Sequence, residues 1–305
     1  MKQTDPNPFS YTPVIWQWPF ERLKARRTLV SVGSCFSESV AGTLLQSGFR
    51  GMQNPNGILY NPYSIHDAIQ RLDIGYEPSD FFEHQGLWYS WAHHGGFAAD
   101  SLEKSLEKVE STRRNFFKML KRAECCMITY SSAVVYRFLP ENRIVANCHK
   151  LPGNLFRREI LSPASCRASM TAVCRKIREW NPDCAIVFTV SPVCHYPGDL
   201  MLNSRSKAHL LEAVYQVIEE ESGTAYFPAY EIMTQELRDY RFYADDMLHP
   251  SKKAEKIILE RFLDTCFEPA ARMDYDNAEA LRRQTVHIPR SSDREKENPG
   301  QQEQN

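Results

Sequence analysis

Thr28-Leu29-Val30-Ser31-Val32-Gly33-Ser34-Cys35-Phe36 decides how the rest of the chain is read. Its first five residues are a short apolar run rich in β-branched side chains, the pattern of a buried strand. Glu38 to Gln46, with Val40, Leu44 and Leu45 apolar, reads as the helix that follows, so Gly33 to Phe36 is a strand-to-helix turn. Further strands are expected at Cys125 to Tyr130 (CCMITY), at Cys184 to Val190 after the turn Asn181-Pro182-Asp183, and at Thr224 to Phe227. Helices fit 101–122, 166–180, 205–221 and 251–266, where Ile257, Ile258, Phe262 and Cys266 keep one face apolar. Strands alternating with long helices predict an α/β fold whose parallel sheet is covered on both faces. In such folds the chemistry sits in the loops beyond the carboxyl ends of the strands.

Composition narrows the class. Of 305 residues, 42% are apolar and 11% aromatic, which excludes a largely disordered chain. The 37 basic and 38 acidic residues leave a charge of −1, so no overall field draws nucleic acid or an anionic membrane surface. The run Arg113, Arg114, Lys118, Lys121 and Arg122 reads as a solvated helix face rather than a nucleic-acid site. Nine cysteines, an odd number in a chain too large to need staples, are expected to be reduced thiols. The start, MKQTDPNPFSYTP, lacks the basic and apolar regions of a secretory signal, and no stretch approaches the roughly 20 apolar residues of a membrane span, so a cytoplasmic protein is expected. The domain reading is an arm over 1–20, a single domain over 21–288 containing an insertion or lid region at 76–122, and a disordered tail over 289–305. No nucleotide-binding glycine motif occurs, His93-His94 has no third ligand at metal spacing, and no C-x-x-C exists. No cofactor and no metal are therefore expected. Oligomeric state is not legible.

Three places carry candidate chemistry. Ser34, at a helix start where free N–H groups favour negative charge, is either a nucleophile or a plain N-cap. Cys35 beside it is an alternative nucleophile, expected to point the other way, into the sheet. Near the other end, Tyr243-Ala244-Asp245-Asp246-Met247-Leu248-His249-Pro250-Ser251 places Asp246 three residues before His249, where one compact turn lets the carboxylate orient the imidazole, while Ser251 caps the next helix. Asn147-Cys148-His149-Lys150 is either a substrate-binding element or a buried polar loop. His195, after the strand ending at Val190, lies at the carboxyl edge as a substrate contact.

The segments GSCFS (33–37), NPNGILYNPYSI (54–65), VANCHKLP (145–152), TVSPVCH (189–195), SRSKAHL (204–210) and DDMLHPS (245–251) together resemble the GSCFA family, of the SGNH or GDSL-like hydrolase group. The resemblance implies a three-layer α/β/α, flavodoxin-like fold with a parallel sheet of about five strands. It implies Ser34 as nucleophile, His249 as base, Asp246 as orienter, and the N–H groups of Ser34 and Gly57 as an oxyanion hole. The usual asparagine donor is missing after the strand ending at Tyr130, where Ser132 stands in by position. Asn147, His149, Lys150 and His195 are the remaining oxyanion or substrate candidates. The function so implied is cleavage or transfer of an acyl O-ester of a small molecule or glycan. The alternative is a degenerate module that binds a glycan or acylated ligand without turnover.

Overall fold

The structure, a computed structural model, describes residues 12–24, 28–196 and 198–286, the side chains of 283–286 excepted. The tail expected at 289–305 and the first part of the expected arm lie outside these. In chain order the elements are β1 (Thr28–Gly33), α1 (Cys35–Gln46), β2 (Arg50–Gln53), α2 (Pro62–Ile74), β3 (Phe81–His84), β4 (Leu87–Ser90), α3 (Leu102–Leu120), β5 (Cys125–Tyr130), β6 (Val134–Phe138), β7 (Arg143–Val145), β8 (Phe156–Ile160), α4 (Pro163–Trp180), β9 (Ala185–Val190), α5 (Leu200–Glu220), β10 (Thr224–Tyr226), the single turn α6 (Ala229–Glu231), α7 (Lys252–Cys266) and α8 (Pro269–Val286).

Five strands make one parallel sheet in the order β10-β9-β5-β1-β2. The winding reverses between β1 and β5, which opens a crevice outside their carboxyl ends. Alternate residues of each strand serve opposite layers, the signature of a sheet buried on both sides. Val30 and Val32 of β1, Cys126 and Ile128 of β5, and Ile186 and Phe188 of β9 pack under α2, α3, α4 and α5. Leu29, Met127 and Val187 face the other way, onto Phe36, Val40 and Leu44 of α1 and Ile258 and Phe262 of α7. The described part of the arm joins this second layer, with Trp16 set edge-on to Phe227 at 5.1 Å.

The α/β fold and its parallel sheet are as expected, and β2, α2 and α8 are additions. β2 escaped because Arg-Gly-Met-Gln at a half-buried edge has no apolar run to read. The expected lid is divided differently by the structure. Residues 81–90 form the β3–β4 hairpin, but α3 sends Phe116 and Leu120 into the main core. Outside that region β6, β7 and β8 form an antiparallel sheet in the order β7-β6-β8. The two pieces meet in an aromatic stack, with Trp91 3.8 Å from Phe82 and 4.6 Å from Phe138.

One glycine fixes the crevice. Gly33 sits at φ +140° at the end of β1, and a Cβ there would lie 2.1 Å from the Thr129 carbonyl oxygen of β5. Gly33→Ala must wedge apart the two strands that flank the crevice. It is expected to cost about 3 kcal/mol or more, read as a lowered urea midpoint; an unchanged midpoint would show that the strands do not meet this closely.

Candidate active site

The loop 54–59 buttresses the turn after β1. Asn54 donates its N–H to Ser31 O at 2.8 Å, its side-chain oxygen accepts the Gly33 N–H at 2.8 Å, and Leu59 donates to Gly33 O at 2.9 Å. Every polar backbone atom at the end of β1 is thereby engaged, which holds the start of α1 rigidly.

The two candidate nucleophiles differ in burial. Ser34 occupies the N-cap position of α1, yet its side chain makes no capping bond. Its hydroxyl is buried, 0% exposed for the residue, and has no hydrogen-bond partner among the described residues. Cys35, expected to point into the sheet, is half-buried and sits at the first position of α1. Burial pushes its thiol up, while the N–H groups of Phe36 and of Cys35 itself, together with the charge of Lys207, pull it down. The sulfur therefore lies against the unpaired N–H groups of the helix start, where anionic charge is stabilised.

The expected oxyanion donors are spent elsewhere. The Ser34 N–H donates to Thr129 O at 3.2 Å and the Gly57 N–H to Asn54 O at 2.8 Å. Gly57 serves instead in close packing, since at φ +76° a Cβ would meet His94 Cβ at 2.2 Å. The Ser132 hydroxyl is held by Ser206 and Tyr196, each at 3.2 Å, and accepts the Val134 N–H at 2.9 Å. Free donors remain at the start of α1, where the first intrahelical bond runs from Glu38 to Ser34 O.

Asp246 and His249 form the dyad read from the sequence. The ring Nδ1–H donates to Asp246 Oδ2 at 2.6 Å, and Asp246 Oδ1 accepts the N–H groups of Leu248 and His249 at 2.9 and 3.0 Å. Those backbone donors, with the imidazole, hold the Asp246 carboxyl down at about 2. Because a carboxylate only accepts, Nδ1 carries the proton and Nε2 is left as the basic atom. The loop is pinned to the end of β9 by Cys194 N–H donating to Leu248 O at 3.0 Å, and Ser251 caps α7 through the Ala254 N–H at 3.3 Å. His249 is exposed and makes no hydrogen bond to Ser34.

His195 stands between these parts, its Nε2 against the Ser131 hydroxyl and its ring edge-on to Tyr60 at 5.0 Å. Burial, with the charges of Lys207 and His249, holds it down at about 3, so it is neutral at ordinary pH. The Asn147–Lys150 segment separates by residue. Asn147 Oδ1 accepts the His149 N–H at 2.7 Å, and His149 is buried among Tyr89, Phe82 and Trp91 with Nε2–H donating to Ser90 O at 2.8 Å. That is the structural reading for His149. Lys150 is exposed, and of the segment Asn147 and Cys148 line the crevice side.

Lys207 went unassigned in the sequence. It is 1% exposed, with Nζ donating to Ser131 O and Ser191 O, both at 2.7 Å, the first residues past β5 and β9. The signal was its place on the apolar stripe of α5, at helical spacing from Leu210, Val214 and Val217. A lysine there with no carboxylate bonded to it is costly to bury charged. Burial brings it down from 10.5 to about 7, opposed by the thiols of Cys194 and Cys35. The unfolded chain then holds more protons than the folded one between these two values, so stability rises with pH across that window, by up to about 1.4 kcal/mol per unit. Lys207→Met is expected to lose this slope. Urea midpoints at pH 7 and 9.5 check it, and parallel profiles for the two proteins would refute the assignment.

No curated protein matches the chain. Among solved structures, a proposed platelet activating factor from Streptococcus pneumonia is similar at TM-score 0.41 and 9% identity, over 82% of this chain and 87% of that one. A proposed GDSL-like lipase from Parabacteroides merdae ATCC 43184 is similar at TM-score 0.42 and 11% identity, over 81% and 99%. Likenesses of this size assign no residue a role. The family model for GSCFA matches residues 28–262, a span that takes in both the turn at Gly33 and the Asp246–His249 loop, and the chain belongs to the GSCFA family.

Proposed function

We propose that the chain hydrolyses or transfers an acyl O-ester, with the Cys35 thiol as nucleophile, His249 as general base and acid, and Asp246 as the group that orients His249. The observation that carries this reading is the Asp246–His249 pair at 2.6 Å, in a loop bonded to the end of β9 at the same sheet edge as the start of α1. Ser34, the nucleophile expected from the sequence, gives way to its neighbour because its hydroxyl is buried and unpartnered, whereas the thiol is half-buried against helix N–H groups.

In the first half-reaction His249 Nε2 takes the thiol proton and Sγ bonds the ester carbonyl carbon. The N–H groups at the start of α1 receive the charge on the carbonyl oxygen. The carbon–oxygen ester bond then breaks, and His249 returns the proton to the departing alcohol. In the second half-reaction water, or a second alcohol for transfer, gives its proton to His249 and adds to the thioester, and the thiol regains that proton as it leaves. Because burial raises the thiol, Cys35 rests as a thiol and needs a base, which is the part given to His249.

The test is mass spectrometry of the protein quenched during turnover of p-nitrophenyl acetate. An acetyl group on the peptide bearing Cys35, lost on treatment with hydroxylamine at neutral pH, is expected. An adduct on Ser34 would return the role to the serine, and no turnover of any short ester would favour the binding-only module.

A further inference from the structure

A groove of about 330 Å³ runs from Ser132 and His195 at the sheet edge to Asn147. It opens onto the loop after β9, one residue from Cys194, whose N–H is bonded to Leu248 beside His249. We infer that this groove seats a neutral sugar ring, the alcohol part of the ester in the reading above, on which this inference rests.

Four features of the wall point to that class. None of the residues lining the groove is Asp, Glu, Lys or Arg, so a phosphate or carboxylate group would be desolvated with no opposite charge to meet it. Aliphatic lining is confined to Val134, Val145 and Ala146, too little to cover a long acyl chain. Three tyrosines supply flat apolar faces with polar tips, and two of them, Tyr60 and Tyr136, are each 37% exposed. Such faces suit the C–H side of a pyranose, while their hydroxyls meet its oxygens. Finally, two fixed amides line the groove. Asn61 Oδ1 is spent on the Ser64 N–H at 2.8 Å and Asn147 Oδ1 on the His149 N–H at 2.7 Å. With their oxygens tied to backbone, both side chains have their NH₂ groups left as oriented donors for hydroxyl oxygens. The volume falls at the small end of ligand sites, roughly 300–1,000 Å³, which fits one or two sugar rings rather than a polymer segment.

The experiment measures binding of unesterified ligands by calorimetry, so it does not depend on turnover. Cellotriose, trigalacturonic acid and decanoate are titrated into the full chain and into Tyr136→Ala and Asn147→Asp. The second variant keeps the acceptor that holds the loop and replaces the donor with an anionic oxygen. Cellotriose is expected to bind the natural chain in preference to the two acids, and each variant to bind it about tenfold more weakly, the scale of one lost contact. Preference for the acid trisaccharide or for decanoate, no binding of cellotriose, or equal binding by Asn147→Asp would overturn the inference. Ester turnover is read separately with p-nitrophenyl acetate: sugar binding without turnover would sink the hydrolase reading alone, and turnover without sugar binding the groove alone.

Discussion

Replacing Cys35 with alanine is expected to lower kcat/KM for a p-nitrophenyl ester by about ten-thousand-fold or more, the scale on which an enzyme loses its nucleophile. Ser34→Ala is the informative partner. The Ser34 hydroxyl has no hydrogen-bond partner, so its removal breaks no bond and leaves nothing unsatisfied. That variant should keep activity within about threefold and be as stable as the natural chain, or more stable by about 1 kcal/mol. Cys35→Ser keeps the geometry but substitutes an alcohol, a far weaker nucleophile at the same base, and should fall between the two. Paired steady-state kinetics on the three variants decide the matter: a dead Ser34→Ala with an active Cys35→Ala would reverse the assignment.

Asp246→Asn is expected to cut kcat by roughly a hundredfold to ten-thousandfold. The carboxylate accepts three hydrogens at once, from the imidazole and from the N–H groups of Leu248 and His249. An amide oxygen can keep the two backbone bonds, but its NH₂ then faces Nδ1. The imidazole would turn its lone pair to that NH₂ and move its proton to Nε2, the atom required as base. Since the Asp246 carboxyl is held at about 2, it stays ionised through the range of any ester assay, and the loss should be the same size from pH 5 to pH 9. A loss confined to the acid side, or a rise in KM with kcat intact, would assign Asp246 a part in binding rather than in orienting His249.

The layers of the fold were legible because their strands are short apolar runs and their helices carry clean stripes, as in CCMITY and in the stripe from Ile257 to Cys266. The two small antiparallel sheets were legible only in part, as aromatic sequence without period at 76–100. The sheets, at 81–90 and 134–160, are far apart in the chain and meet through Trp91, a contact no local pattern announces. In the site, D-x-x-H is a one-turn motif and could be read locally, and its geometry is as expected. The burial of Ser34 and Cys35 was not local in that sense. How deeply Ser34 and Cys35 are each buried depends on φ +140° at Gly33 and on the loop 54–59 that clamps it, which adjacent residues do not announce. Lys207 was hidden by its type, because a lysine in a helix is assumed to reach solvent unless its place on the stripe is checked.

The helix that begins with Cys35 packs against α7, which follows the loop bearing His249. Cys35 and His249 are roughly two hundred residues apart, so at about 5–20 residues per second synthesis of the chain separates them by some 10–40 s. During that interval the thiol exists without His249 and without the helix that shares the apolar layer of α1. A nascent chain at this stage carries Cys35 beside an uncovered apolar surface, and that surface is shielded only after the loop bearing His249 and α7 have been made.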